Sequence, residues 1–436
     1  MSRRVVVVGA GVVGLFSALY ARRAGFEVTV VDREGPERET TSYGNIGLVV
    51  PSHFVPLAAP GAVAQGLKWM LRPESPFYVR PALDPELLAW GWRFWRASSA
   101  ARARRAGPLL RDLHRASKQA YLELSERLGE PFDFTQTGLV MLCTTPEGLE
   151  AEAAVAGKAA HLGMPVQVLG RDEVAALEPG VTLDVVGGVY YPEDARLDPG
   201  RLMRSLQAEL IAAGVRFRWR TRVEGLLHGG GAVRGVRVAP VGTAASPPET
   251  GGPGDAAEED AIEADEVVLA AGVWSDALAR SLGLRLPMRA GKGYSMTLAD
   301  PPERPSTPAI LAEGHVALSP LGSGVRIGGT MEITGIREGV SAGRLRGIMR
   351  SVRRALPAFG EDAFADAPRW YGFRPCSPDG LPYLGRSAKL RNLVVATGHA
   401  MIGISLGAVT GKLVGELLEG RAPSLPLEPL SPDRYA

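Results

Sequence analysis

Cysteine is nearly absent from this chain. Cys143 and Cys376 are the only two in 436 residues, far apart in sequence and part of no C-x-x-C pair. That excludes a disulfide framework by spacing and fits a reducing compartment. The six histidines show no H-x-x-x-H spacing, so no zinc or iron–sulfur centre is expected. An excess of charge of one sign is also lacking. Lys plus Arg number 49 against 47 acidic residues, a formal balance of +2, which gives no global reason to expect nucleic acid. No run of ~18 uninterrupted apolar residues occurs, so a membrane-spanning helix is not expected. Met1-Ser2-Arg3-Arg4 leads straight into an apolar run that glycine soon breaks, unlike a secretory leader. A cytoplasmic protein is expected, at most peripheral on the inner face of the cell membrane. What remains, 45% hydrophobic and 22% charged, suits a soluble globular enzyme, and the length suggests two domains.

The most informative stretch runs from Val5 to Asp32. Four consecutive valines lead into Gly9-Ala10-Gly11-Val12-Val13-Gly14, a helical pattern follows to Arg23, and Val28-Thr29-Val30-Val31 returns to Asp32. A G-x-G-x-x-G between a β-branched run and a helix has the context of a dinucleotide fingerprint. Its glycines allow a tight turn, close backbone approach to a pyrophosphate, and close helix packing. The helix N-terminus offers free N–H groups and a positive dipole end to phosphate. Asp32, about twenty residues on, can accept from a ribose diol, and no Arg stands there for a 2′-phosphate. NADP is disfavoured; NAD and FAD both stay open at this point.

Glu39 to Gly47 is a loop rich in small hydroxyl residues and glycine, suited to a phosphate or a flavin edge. Between Leu67 and Arg105 stand Trp69, Trp90, Trp92 and Trp95, with Arg93, Arg96, Arg102, Arg104 and Arg105. Such a segment suits either a membrane interface or an ordinary domain surface. Periodicity predicts helices over 109–128, 147–162, 198–211 and 344–356, a strand with a turn over 134–142, and strands over 187–191, 215–219, 221–227, 233–238 and 264–272. Pro240 to Asp260, loaded with Pro, Gly, Ala and acid, reads as a long solvent loop. The stretches 292–298, 315–320 and 324–329 alternate with period two and suit an antiparallel pocket wall.

Near the end, Leu393 to Thr397 reads as a strand, Gly398-His399-Ala400-Met401-Ile402-Gly403 as a turn, and the chain to Leu418 as a helix. A second glycine turn between strand and helix offers a second set of free N–H groups. One such turn at each end of the chain favours FAD, a long ligand gripped at its adenine and flavin ends.

Taken together, V-V-V-V-G-A-G-V-V-G with V-T-V-V-D-R-E, T-S-Y-G-N-I-G, A-A-G-V-W-S (270–275), K-G-Y-S (292–295), G-F-R-P-C-S-P-D-G and N-L-V-V-A-T-G-H resemble the D-amino-acid-oxidase-like family of FAD-dependent amine oxidoreductases. The correspondence runs from about Val5 to Arg421 and is nearest the bacterial D-amino-acid dehydrogenases of small-subunit type. Two departures stand out, the length of the 240–260 loop and Ser377 where Thr is common. The resemblance implies an α/β fold: a glutathione-reductase-like FAD-binding Rossmann domain from 1–50, 194–286 and 371–436, and an α+β substrate domain on a mostly antiparallel sheet from 51–193 and 287–370. It places Gly9, Gly11, Val12, Val13, Gly14, Asp32 and Arg33 at the ADP half. Thr41, Ser42, Asn45, Gly47 and Leu48 fall beside pyrophosphate and flavin, and Val223, Ala271, Gly272 and Trp274 near adenine. Gly372, Gly398, His399, Met401, Ile402 and Gly403 fall at the flavin end, with backbone N–H groups and a helix dipole favouring negative charge there.

In such a reaction the flavin takes hydride from Cα, so no side chain need act as the catalyst. A clamp on the substrate carboxylate is needed, and Arg binds carboxylate bidentately. Arg374 is the candidate, with its family counterpart in that role. His53, His315 and Tyr294 are lesser pocket candidates. The amine must lose its proton before hydride leaves, so activity should rise with pH, and no dedicated base is required. The implied reaction converts D-amino acids to 2-oxo acids and ammonia, with electrons passed to a quinone or dye. An oxygen-using oxidase of glycine, sarcosine or another secondary amine, or a D-proline or D-hydroxyproline dehydrogenase, is the alternative.

Overall fold

A computed structural model describes residues 3–37, 40–70, 74–241 and 261–436. Valines 5 to 8 form a strand buried on both faces, as an unbroken apolar run demands. Across this first sheet lie, in order, Tyr383–Arg386, Leu393–Thr397, Glu266–Leu269, Arg4–Val8, Glu27–Val31 and Arg216–Arg218. All neighbours are parallel except the first pair. Chain order reverses at Arg4–Val8, so its C-terminal end faces the crevice at a topological switch point. A three-stranded antiparallel sheet, Thr221–Gly229, Ala232–Pro240 and Ala261–Glu263, belongs to the connection from Arg216–Arg218 to Glu266–Leu269. Most of the expected solvent loop between Pro240 and Asp260 lies outside the described residues.

Helix α1 (Val12–Arg23) packs on the C-terminal helix Gly403–Leu418. Small residues allow this: a Cβ on Gly411 would stand 2.6 Å from the Phe16 backbone. By length and composition 400–418 could cross a membrane, but it lies mostly inside the protein and is a core helix. After α2 (Ala62–Met70) and α3 (Pro85–Ala97), α4 (Ala100–Leu128) adds Leu110, Leu113, Tyr121 and Leu124 to the core of α1 and the C-terminal helix. The sequence predicts a start near 109. The helix begins nine residues earlier, capped by Ser99, and runs through Gly107-Pro108, where Gly107 is buried beside Phe54 and Leu162.

The second sheet is mostly antiparallel, in the order Arg369–Cys376, Arg289–Leu298, Gly324–Ile333, Val316–Leu321, Ala309–Leu311, Leu139–Cys143, Gly187–Tyr191 and Gln167–Gly170. Phe77–Val79 joins Gly324–Ile333 in parallel. The strand with a turn expected over 134–142 is a turn, with positive φ at Asp133 and Gly138, followed by the strand Leu139–Cys143. The architecture is the α/β class expected, a Rossmann-type doubly wound sheet beside an α+β layer.

Candidate active site

A cavity of about 1170 Å³ runs from the switch-point crevice to the wall of the second sheet. Gly9, Gly11, Val12, Val13, Asp32 and Arg33 line one end. Asp32 is held in place, its carboxylate accepting from Ala10 N at 2.7 Å and Glu34 N at 2.9 Å. Ser42 Oγ accepts from Val12 N at 3.1 Å, tying the hydroxyl loop to the first turn of α1. A Cβ on Gly11 would meet only Ser42 Oγ, at 3.7 Å, so the backbone there stays open to a ligand. The Thr40 hydroxyl, buried on the cavity wall, has no hydrogen-bond partner among the described residues. Arg33 lies 3.8 Å over the Trp274 ring, and Val223, Ala271 and Gly272 line the same end.

Thr41, Ser42, Asn45 and Leu48 continue along the wall. Thr41 Oγ1 accepts from Phe373 N at 3.2 Å, joining this loop to the strand that carries Gly372 and Arg374. Further along stand His399, Met401, Ile402 and Gly403, where the C-terminal helix begins without a side-chain N-cap. Its first amides and its positive dipole end are therefore available to an electronegative group. His399 is buried, bonded through Nε2 to Thr410 Oγ1 at 2.9 Å, and burial pushes its pKa down to about 4.

Three expected contacts do not line the cavity. Gly14 is a packing glycine, since a Cβ there would stand 1.8 Å from Gly9 O. Gly47 lies against the Leu197 carbonyl and Gly398 against Tyr383, both at positive φ, so they shape the turns that carry their neighbours.

Arg374 projects from Arg369–Cys376 and donates to the Thr330 carbonyl at 2.5 Å. No carboxylate among the described residues pairs with it, and burial lowers its pKa. A half-buried guanidinium on the cavity wall with no anion beside it is complementary to a carboxylate from outside. Two residues on, Cys376 forms an antiparallel bridge with His399, fixing the arginine strand to the turn before the C-terminal helix. Sequence reasoning missed what makes room for the arginine: a Cβ on Gly293 would stand 2.2 Å from Arg374 Cζ. An isolated glycine inside the expected strand 292–298 was the available signal, since such a glycine marks close approach. It also missed Trp370, whose indole lies over Gly44 and Gly372.

Tyr294 lines the cavity with its ring, but its hydroxyl turns away and donates to Glu332, itself paired with Arg344 at 2.8 Å. His315 also lines the cavity, in a turn at φ 47°, with its ring edge-on to Trp69 at 5.0 Å. His53 lines the cavity near Val50 and Ser405.

The FAD dependent oxidoreductase family DAO matches residues 4–417. A D-amino acid dehydrogenase of Bradyrhizobium diazoefficiens is 31% identical and one of Methylobacterium nodulans 34%, each alignment covering 99% of both chains. Glycine oxidase from Geobacillus kaustophilus superposes with a TM-score of 0.75 at 23% identity over 100% of both chains. L-proline dehydrogenase from P. horikoshii gives 0.72 at 19% identity over 100% of this chain and 98% of its own.

Proposed function

The chain belongs to the DAO family of FAD-dependent oxidoreductases, and from that premise we propose that it is a D-amino-acid dehydrogenase producing 2-oxo acids and ammonia. The observation that carries the substrate class is Arg374, half-buried on the cavity wall with no carboxylate partner among the described residues, and fixed through Cys376 and His399 to the start of the C-terminal helix. The residues fit FAD: an open backbone at Gly11, an anchored Asp32, the orphan Thr40 hydroxyl, and an uncapped helix N-terminus at the far end. When bound, FAD supplies the hydride acceptor.

The protein supplies position and field. Arg374 holds the substrate carboxylate through a two-pronged bond, which fixes Cα in the cavity. Phe77, Phe94, Met331 and Tyr294 give the cavity wall apolar surface. The first turn of the C-terminal helix favours negative charge at the flavin end. We assign 1–50, 194–286 and 371–436 to FAD binding, and 51–193 with 287–370 to the substrate. Anaerobic bleaching of the bound flavin across D- and L-amino acids, glycine, sarcosine and D-hydroxyproline tests the reading. Bleaching by D-amino acids is expected; bleaching confined to glycine and sarcosine, or peroxide release in air, would overturn it.

Electrons are proposed to pass to a quinone at the cytoplasmic face of the membrane, and α3 supports this. Its inner face helps wall the cavity through Phe94, while Trp90 donates to Cys376 O at 3.0 Å. On the outside, Leu88 is 63%, Trp92 54% and Trp95 63% exposed. Arg96, Arg102, Arg104 and Arg105 are exposed nearby in sequence, with no carboxylate partner among the described residues. Aromatic rings among unpaired arginines suit an anionic bilayer surface. Co-sedimentation with vesicles containing anionic lipid should be lost in a Trp92→Ser, Trp95→Ser double variant that retains dye-linked activity. Absence of wild-type binding would refute the assignment.

A further inference from the structure

Beside the cavity lies a buried polar chain that the reading above leaves unused. Asp194, 0% exposed, accepts from Ser52 N at 3.0 Å, and Ser52 Oγ donates to its Oδ2 at 2.5 Å. The same hydroxyl oxygen stands 3.2 Å from His53 Nδ1. A hydroxyl that donates to a carboxylate can accept from Nδ1–H, which leaves His53 Nε2 as the basic nitrogen of a residue on the cavity wall. His53 also belongs to the flavin end: Val50, which accepts from His53 N at 3.0 Å, donates to Ser405 Oγ at 2.9 Å, in the first turn of the C-terminal helix.

We propose that His53, Ser52 and Asp194 form a proton relay that takes up the proton shed by the substrate ammonium and stores it on Asp194. The proposal rests on the amine-oxidation reading for the source of that proton. Oxidation of a CH–NH3+ group releases a hydride, with its electron pair, to FAD and one proton to its surroundings. That proton bonds to His53 Nε2, directly or through water. The Nδ1 proton passes to Ser52 Oγ as the Ser52 hydroxyl proton passes to Asp194 Oδ2. The result is a neutral carboxylic acid, a neutral imidazole and an intact hydroxyl, with no electron moved along the chain. When the quinone is reduced it needs two protons with its two electrons, and the stored one can return by the same path.

The environment divides the labour. Burial pushes His53 down to about 4, so it conducts without keeping the proton, whereas burial pushes Asp194 up to about 7, near the optimum for a base at neutral pH. The charged and titratable neighbours are few. Burial first, and then charge on nearby His53, keeps the His114 ring on α4 neutral, so it does not compete for the proton. Lys118 and Glu193 act on Asp194 with opposite sign, and Lys118 is held by Glu193 O at 2.8 Å. Burial raises the Tyr190 and Tyr191 phenols, with Asp194 adding to it, so neither competes for the role.

The test counts protons. FAD-loaded protein is mixed anaerobically with D-alanine near neutral pH in weak buffer, with a pH-indicator dye. Wild type should bleach while releasing well under one proton per flavin. Asp194→Asn and Ser52→Ala should each release about one, and the ionisation near neutrality in kcat/KM should vanish with Asp194→Asn. Ser52→Ala decides the matter if the Asp194 variant fails to fold. Wild type releasing a full proton, or variants that match it, would overturn the relay. If another amine bleaches the flavin where D-alanine does not, the same count with that amine separates a wrong substrate from a wrong relay.

Discussion

A Gly293→Ala substitution separates the position of the clamp from its chemistry. The added Cβ would stand 2.2 Å from Arg374 Cζ and 2.3 Å from both terminal nitrogens. Carbon contacts relax at about 3.5 Å, so the guanidinium must retreat by roughly 1.3 Å. The obstructed atoms are the free end of a long side chain, and Gly293 is not among the glycines at positive φ. The fold should therefore tolerate alanine, at the expense of part of the bond to Thr330, about 1 kcal/mol. Function should not: a misplacement of ~1 Å costs on the order of a hundredfold in rate. Rapid-mixing bleaching at varied D-amino-acid concentration should show kcat/KM down by about 10²-fold, with FAD still bound and Tm lowered by a few degrees at most. If kcat/KM stays within about threefold of wild type, under ~0.7 kcal/mol, Arg374 is not the carboxylate clamp.

Arg374→Lys keeps the charge but loses the fork, and should lower kcat/KM by roughly 10- to 100-fold while FAD absorbance is retained. Tyr294→Phe removes a hydroxyl bound to Glu332 rather than to the cavity, so thermal unfolding should show a loss of about 1.5–3 kcal/mol, with KM for small D-amino acids changed less than about threefold. Asp32→Ala removes the carboxylate that accepts from Ala10 N and Glu34 N, and should weaken FAD retention on dilution or gel filtration without abolishing bleaching of the loaded fraction. For stability against pH, burial lowers His53 and His399 to about 4 and His114 to about 3, so the folded state binds fewer protons than the unfolded one below the ordinary histidine value of ~6.5. Their contribution is complete above that value and is lost as pH falls toward 4. Asp194, raised to about 7, opposes them by one proton across the same window. Denaturant titration should find stability falling by up to ~2.7 kcal/mol per pH unit on acidification, and more steeply in Asp194→Asn.

Local chemistry made the two ends of the cofactor site legible. Val5 to Asp32 and Leu393 to Gly403 each carry strand, glycine turn and helix in consecutive residues, so neighbouring positions define the whole device. The substrate side depends on pairings far apart in sequence. Gly293 matters only because Arg289–Leu298 registers against Arg369–Cys376 and brings the arginine across it, which no window of residues reveals. Alternation places Tyr294 at the cavity, but the direction of its hydroxyl is set by Glu332 on another strand. Gly107-Pro108 reads locally as a helix break, and tertiary packing against Phe54 and Leu162 overrides it.

The packing of α1 on the C-terminal helix has a consequence for assembly. The phosphate-gripping turn belongs to the first strand, while its sheet neighbour Glu266–Leu269 and the helix that covers α1 come from the later parts of the chain. A nascent chain holding only the N-terminal strand–helix–strand unit therefore has an unpaired strand edge and a bare apolar helix face. Contacts of such long sequence separation form slowly. Flavin capture should then come late in refolding, and the return of protein-bound flavin fluorescence would report completion of the whole fold rather than of its first unit.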